Sequence, residues 1–187
     1  MTTGQKTHRM STLFIFVGTL IAILCASGSY WYYTQPRMYD FDYKRDSAFI
    51  LDMFQKNWYW LIAEGSDFSP EYFLLNRASS KQPQHLGNET IKVLYKGGTP
   101  VGFTSYYKVK FYKGKVHFVL VNEQFRSQGY GLQLVTYAIN ALVAQGCTEI
   151  TLVTRENNFS AQKIYKRAGF EEYGCEDGFI YFKYTVK

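Results

Sequence analysis

The chain has 187 residues, 47% of them hydrophobic, which is enough for one domain with a substantial core and a short additional segment. The net charge is +6, but three of the 21 basic residues and none of the 15 acidic residues precede residue 38. The rest of the chain therefore has only a mild excess of positive charge. That excess, without a Lys- and Arg-rich run interleaved with aromatics, does not support a nucleic-acid partner. Cys25, Cys147 and Cys175 lack the spacing of metal ligands, so we expect no metal site.

The N-terminal part of the chain has the composition of a membrane anchor. A polar, basic tail occupies residues 1–9, and no charged residue occurs in residues 10–33. This stretch is 24 residues long, against the ~20 residues needed to cross a bilayer, and it ends in the aromatic cluster Tyr30–Tyr33. We therefore predict a short tail, a transmembrane helix over residues 10–33 and a globular domain over residues 34–187.

A cleaved signal peptide is the alternative interpretation of the same segment. Lys6 and Arg9 precede an apolar region of 14 residues, and the small residues Ala26–Gly28 follow it. Charge does not decide the orientation of an uncleaved anchor, because the basic residues on its two sides nearly balance.

The domain is predicted to begin with a strand, Arg37–Tyr43, followed by two helices. Asp46 or Ser47 can cap the first helix, and Ser69 followed by Pro70 is a typical start for the second. The first helix is indicated by apolar residues at helical spacing: Phe49, Ile50, Met53, Phe54, Trp58 and Leu61. A polar loop then runs to Thr90.

Strands dominate the remainder, with two helices inserted late. This order predicts an α+β fold with a mixed, mostly antiparallel sheet. The predicted elements are strands Thr90–Tyr95, Pro100–Tyr112 and Lys115–Val121, helix Gly129–Gln145, strand Thr148–Thr154, helix Asn158–Arg167, and a hairpin of Phe170–Cys175 with Phe179–Val186.

An apolar strand ending at Val121 leads through a polar turn into Arg-Ser-Gln-Gly-Tyr-Gly (Arg126–Gly131) and then a helix. The free N–H groups of a helix N-terminus and the helix dipole favour an anion there. Gly129 and Gly131 allow a phosphate to approach the main chain, and Arg126 can add a bidentate contact. The segment is neither a dinucleotide fingerprint, which requires glycine at Leu134, nor a Walker loop, which requires Gly-Lys-Ser/Thr.

R-x-x-G-x-G directly after an apolar strand resembles the acyl-CoA pyrophosphate loop of the GNAT superfamily of N-acetyltransferases. A second motif supports this resemblance, because residues 158–170 fit N-x-x-A-x-x-x-Y-x-x-x-G-F. The matching residues are Asn158, Ala161, Tyr165, Gly169 and Phe170. The two motifs are separated by a predicted helix and strand, and the resemblance covers roughly residues 90–187.

The resemblance implies a GNAT-like fold, acetyl-CoA as co-substrate and transfer of its acetyl group to an amine. It places acetyl-CoA between two splayed parallel strands, with the pantetheine amides on the main chain of one strand. The residues implied in binding are Val119, Val121, Arg126, Ser127, Gln128, Gly129, Tyr130, Gly131, Leu132 and Asn158. Asn158 can instead be simply a helix cap, and Val119 and Val121 simply core residues.

The resemblance also assigns a general acid. Tyr165 stands where the family places a tyrosine that protonates the departing thiolate. Ordinary core packing is the alternative for this side chain.

The general base differs from the one that the resemblance implies. Many family members have a carboxylate early on the strand before the loop, but this chain has Lys115 there. His117 lies two residues further along and titrates in the right range, so we predict it as the base. A structural histidine, a water chain or Glu123 are the alternatives.

Two functions are therefore open. One is a membrane-anchored N-acetyltransferase with an unidentified amine acceptor, whose domain faces the cytoplasm because acetyl-CoA is cytosolic. The other is a GNAT-like module that binds CoA or a partner without turnover.

Overall fold

The computed structural model describes residues 34–75 and 89–186. The transmembrane helix predicted for residues 10–33 and the tail of residues 1–9 lie outside the described residues. Within the two described ranges, no helix is both long and apolar enough to span a bilayer.

The chain divides into two compact units. The larger unit comprises Arg37–Tyr95 and Thr99–Lys187. Of the smaller unit, the structure describes residues 34–36 and Lys96–Gly98. The elements below belong to the larger unit, apart from Lys96 at the end of one strand.

Strands and helices follow one another in the predicted order. The strands are β1 (Arg37–Asp40), β2 (Thr90–Lys96), β3 (Thr99–Lys110), β4 (Lys113–Val121), β5 (Glu149–Arg155), β6 (Glu171–Glu176) and β7 (Phe179–Thr185). The helices are α1 (Tyr43–Leu61), α2 (Pro70–Leu74), α3 (Tyr130–Ala144) and α4 (Phe159–Arg167), with a 3₁₀ turn at Glu123–Phe125.

The described strands form one sheet in the order β1-β2-β3-β4-β5-β7-β6. β4 and β5 pair in parallel, whereas β1 with β2, β3 with β4, and β7 with both β5 and β6 pair antiparallel. The mixed, mostly antiparallel sheet flanked by helices confirms the predicted α+β fold.

Helices cover both faces of this sheet. Side chains of α1 and α2 pack with Phe103, Phe118 and Leu120 in one core cluster. Side chains of α3 and α4 pack with Tyr106 and Val116 in another. Because neighbouring residues of a strand point to opposite sides, the sheet has an α1/α2 face and an α3/α4 face.

A bulge in β4 changes which side chains reach the α1/α2 face. Ser105 of β3 pairs with Phe118, and the next residue, Tyr106, pairs with Val116, so His117 is the extra residue. The imidazole of His117 stacks on the ring of Phe118 with 4.0 Å between centroids and 22° between planes. Both side chains therefore lie on the α1/α2 face, although they are consecutive.

The start of α1 differs from the prediction that Asp46 or Ser47 caps this helix. Asp42 is the N-cap, and its Oδ1 accepts the main-chain N–H of Arg45 at 2.9 Å. Asp46 is fully buried and accepts hydrogen bonds from the Asp42 main-chain N–H, the Arg45 guanidinium and the Tyr95 hydroxyl. Burial alone would raise the pKa of Asp46, but these hydrogen bonds hold it below the usual value.

Candidate functional site

The site begins where β4 and β5 separate. Their pairing ends at Lys115 with Thr151, although β4 continues to Val121 and β5 to Arg155. Beyond this point β4 pairs only with β3, and β5 only with β7, within the described residues. The two parallel strands therefore splay apart as predicted, and their facing main-chain edges can accept an extended ligand.

Val119 and Val121 lie on β4 in this splayed part. Both are half-buried, and both pack against core side chains that include α3 residues. Their side chains are thus core residues, and a ligand between the strands would meet their main chain. The predicted pantetheine contacts are compatible with this arrangement and remain a prediction.

The loop after β4 ends at the N-terminus of α3, where the N-cap residue makes no side-chain capping hydrogen bond. Gly129 is the N-cap of α3 with a left-handed φ of 87°, and no acidic residue lies in the first helical turn. Ser127 also has a positive φ of 63°. The N-cap Gly129 has no side chain to accept from the first N–H groups of this 15-residue helix, and such a helix start suits a phosphate.

The two glycines of this loop have different surroundings. A Cβ at Gly129 would meet nothing within 4 Å, so this position is open above the main chain. A Cβ at Gly131 would lie 2.8 Å from Cδ1 of Ile164 in α4. Gly131 therefore allows the start of α3 to approach α4, a packing role that the sequence did not indicate.

Arg126 connects the loop to α1. Its Nε donates to the Val121 carbonyl at 3.2 Å, and its Nη2 donates to Asn57 Oδ1 at 2.8 Å. Asn57 lies where α1 departs from helical geometry, and its own Nδ2 donates to the Met53 carbonyl at 2.9 Å. The predicted bidentate contact of Arg126 with an anion would use its remaining N–H groups, because these two are engaged within the protein.

Tyr165 is buried in the cluster on the α3/α4 face. Its ring contacts Phe170 and Phe182, with centroids 6.2 and 5.8 Å away. Burial raises the pKa of Tyr165 to about 12, so the hydroxyl keeps its proton at neutral pH.

Asn158 caps the same helix, α4. Its Oδ1 accepts the Ala161 main-chain N–H at 3.2 Å, which confirms the helix cap. The contact of Asn158 with acetyl-CoA stays a prediction.

His117 has a carboxylate partner that sequence reasoning missed. Glu89, just before β2, places Oε1 2.8 Å from Nδ1 of His117. Only 7% of the Glu89 side chain and 17% of the His117 side chain are exposed. No motif marked Glu89, because it ends a polar loop and lies 28 residues before its partner.

Glu89 also influences two other groups on the α1/α2 face. Burial lowers the pKa of Lys115, and the negative charge of Glu89 opposes that shift. Burial and then the same charge raise the pKa of Tyr107. Glu89, just before β2, thus places a carboxylate beside His117 and a negative charge that acts on Lys115.

This geometry agrees with a family model. The model for the acetyltransferase (GNAT) family matches residues 47–170, which is more than half of the chain. The chain belongs to the GNAT family. This is a family of acetyltransferases, and the splayed strands and the start of α3 fit acetyl-CoA as co-substrate.

Relatives and solved structures agree with the assignment to the GNAT family. N-alpha-acetyltransferase 30 of Homo sapiens is 38% identical over 64 residues, covering 34% of this chain and 18% of the human protein. The [ribosomal protein bS18]-alanine N-acetyltransferase of Haemophilus ducreyi is 40% identical over 52 residues, covering 28% of this chain and 36% of that protein. Both matches span far less than two thirds of the relative's length.

Structural likeness extends over most of the chain. Ard1 of Thermoplasma volcanium has a TM-score of 0.63 at 19% identity, covering 81% of this chain and 98% of that one. The PaiA N-acetyltransferase of Thermoplasma acidophilum, solved in complex with coenzyme A, has a TM-score of 0.66 at 13% identity, covering 81% and 99%. At these identities the likeness shows the GNAT fold alone.

Proposed function

We propose that this chain transfers the acetyl group of acetyl-CoA to the α-amine of a peptide or protein. The observation that carries the proposal is the position of two proton-handling groups around the splayed strands. Tyr165 lies on the α3/α4 face, and the Glu89–His117 pair lies on the α1/α2 face. An amine entering from the α1/α2 face would meet His117, the base. The CoA thiol would leave toward Tyr165, the acid.

Each residue then has a definite task. The main chain of Val119 and Val121 holds the donor, and the first N–H groups of α3 hold its pyrophosphate. His117 takes the proton that the amine loses as its nitrogen bonds to the acyl carbon. Tyr165 gives a proton to the sulfur as the carbon–sulfur bond breaks. Acetyl-CoA supplies an acyl group activated as a thioester.

The C-terminal end of α1 supports a peptide acceptor. Arg155, at the end of β5, donates to the main-chain carbonyls of Tyr59 and Ile62, and its guanidinium lies 4.1 Å from the ring centroid of Tyr59. These contacts place the end of α1 beside the opening between the strands. Exposed rings of Trp58, Tyr59 and Trp60 offer apolar surface there for the side chains of a peptide. The two named relatives, whose printed names specify N-alpha and alanine N-acetylation, support the same acceptor class.

The test is thiol release from acetyl-CoA by the full chain with matched peptides. One peptide has a free N-terminus, a second has the same sequence with a blocked N-terminus, and a third is blocked but carries a free lysine. We expect turnover with the free N-terminus alone. Acetylation of the blocked peptide with lysine would redirect the proposal to side-chain amines. Tight acetyl-CoA binding without turnover on any amine would favour a binding module.

We also propose that residues 10–33 anchor the enzyme in a membrane with the domain in the cytoplasm. Support comes from the uncharged 24-residue stretch with its terminal aromatic cluster, and from the cytosolic location of acetyl-CoA. A tag at the C-terminus should stay with membranes after alkaline extraction and resist protease added to intact cells. Release by extraction would refute the anchor, and digestion from outside would refute the orientation.

A further inference from the structure

We propose that Glu89 is a positioning residue that holds His117 in the tautomer whose Nε2 is free to take the proton of the acceptor amine. The inference rests on the proposed function, because it concerns how the base of that reaction is prepared. It adds a residue that neither sequence motif contains.

The hydrogen bond decides the tautomer. An ionised carboxylate can only accept, so the contact of 2.8 Å between Glu89 Oε1 and His117 Nδ1 requires the proton on Nδ1. The lone pair of the neutral ring is then on Nε2. A carboxylate that orients an imidazole in this way is a common means of preparing a base.

The ring plane of His117 is fixed as well. Phe118 stacks on the imidazole, and Phe68, Phe73 and Tyr107 contact it edge-on with centroids 6.4, 6.3 and 5.7 Å away. With the plane held by four rings and Nδ1 held by Glu89, the direction of Nε2 has little freedom. Such orientation contributes to catalysis because the base must meet the amine within hydrogen-bond distance.

Within residues 34–75 and 89–186, three titratable groups on the α1/α2 face are linked to His117 directly or through Glu89. Glu89 precedes β2, Tyr107 comes from β3 and Lys115 from β4. The contacts from α2 and the segment before it are the apolar rings of Phe73 and Phe68. Glu89 is therefore the acidic group that faces this imidazole among the described residues.

The experiment compares the full chain with Glu89→Gln and Glu89→Asp. Nitrogen NMR of the imidazole, recorded without substrates, reports which ring nitrogen carries the proton. Steady-state kinetics give kcat and KM for acetyl-CoA. Glu149→Gln is the matched control, because Glu149 pairs with Lys113 at 2.7 Å at the closed end of the β4–β5 pair.

We expect the parent to show the Nδ1–H form in its neutral state. In Glu89→Gln we expect a mixture of both forms, because a side-chain amide can donate as well as accept. The same variant should lose about 100-fold in kcat with little change in KM for acetyl-CoA. Glu89→Asp should regain part of the loss, and Glu149→Gln should behave as the parent.

An Nε2–H form in the parent would overturn the inference without any variant. Unchanged kcat and tautomer in a folded Glu89→Gln protein would also overturn it. Failure of the proposed function looks different, because no amine would be acetylated while the parent still showed the Nδ1–H form. If Glu89→Gln does not fold, the parent tautomer and Glu89→Asp decide the matter.

Discussion

Replacing Tyr165 by Phe removes one hydroxyl group and keeps the ring that fills the core. The ring contacts with Phe170 and Phe182 are retained, so the free energy of unfolding should change by about 1 kcal/mol or less. The loss of a general acid should lower kcat by about 10²–10⁴. This corresponds to about 3–5 kcal/mol of activation free energy.

The pH dependence of kcat gives a second test of Tyr165 as the general acid. The acid must be protonated to act, and burial raises the pKa of Tyr165 to about 12. Deprotonation of this hydroxyl therefore should not reduce the activity of the parent up to about pH 10. A fall in kcat centred between pH 8 and 9 would contradict the assignment of Tyr165 as the acid.

Tyr106→Phe is the matched control for this substitution. Tyr106 is buried in the same cluster, and burial likewise raises its pKa to about 12. Thiol release at saturating peptide and acetyl-CoA, thermal unfolding and acetyl-CoA binding by calorimetry should be measured for both variants. Only Tyr165→Phe should lose turnover, and both should bind acetyl-CoA. Equal kcat values for parent and Tyr165→Phe would refute the assignment and leave Tyr165 as a core aromatic.

Three further predictions test the loop, the base and the fold. Gly129→Val should abolish acetyl-CoA binding measured by calorimetry. Gly146→Val is the control, because Gly146 has a similar φ of 86° and equally open surroundings at the other end of α3. It should lower the stability by a similar amount and keep acetyl-CoA binding. Equal binding by both variants would disprove the loop assignment. His117→Ala should lower kcat by about 10²–10⁴ and keep acetyl-CoA binding, because the amine loses its general base; unchanged kcat in a folded His117→Ala protein would exclude His117 as base. Asp46→Asn should lower the free energy of unfolding by about 3 kcal/mol at pH 7, against about 0.5 kcal/mol for the exposed Asp52→Asn. Because the folded state lowers the pKa of Asp46, the difference in free energy of unfolding between the parent and Asp46→Asn should persist above about pH 4. It should shrink as the pH falls through that lowered pKa. A constant difference down to pH 2 would contradict this expectation.

Local pattern determined most of the fold and part of the site. The helix predicted over Gly129–Gln145 is observed as Tyr130–Ala144, because glycines with positive φ flank it at both ends. The two motifs were enough to predict an anion-binding loop before α3 and an acid at Tyr165, since each motif lies within a single strand–helix or helix segment. The α1 cap was missed because two acidic residues four positions apart both suit a helix start, and only burial distinguishes Asp42 from Asp46.

Contacts between distant parts of the chain decided the rest. Arg126 meets Asn57 across 69 residues, and Glu89 meets His117 across 28, so neither partner is marked by its neighbours in sequence. The β4 bulge sets which face each later side chain of that strand reaches, which strict alternation cannot predict. The sequence alone therefore supports a donor site and an acid. The contact between Glu89 and His117 depends on the tertiary structure, because only the assembled sheet brings the residue before β2 within 2.8 Å of an imidazole on β4.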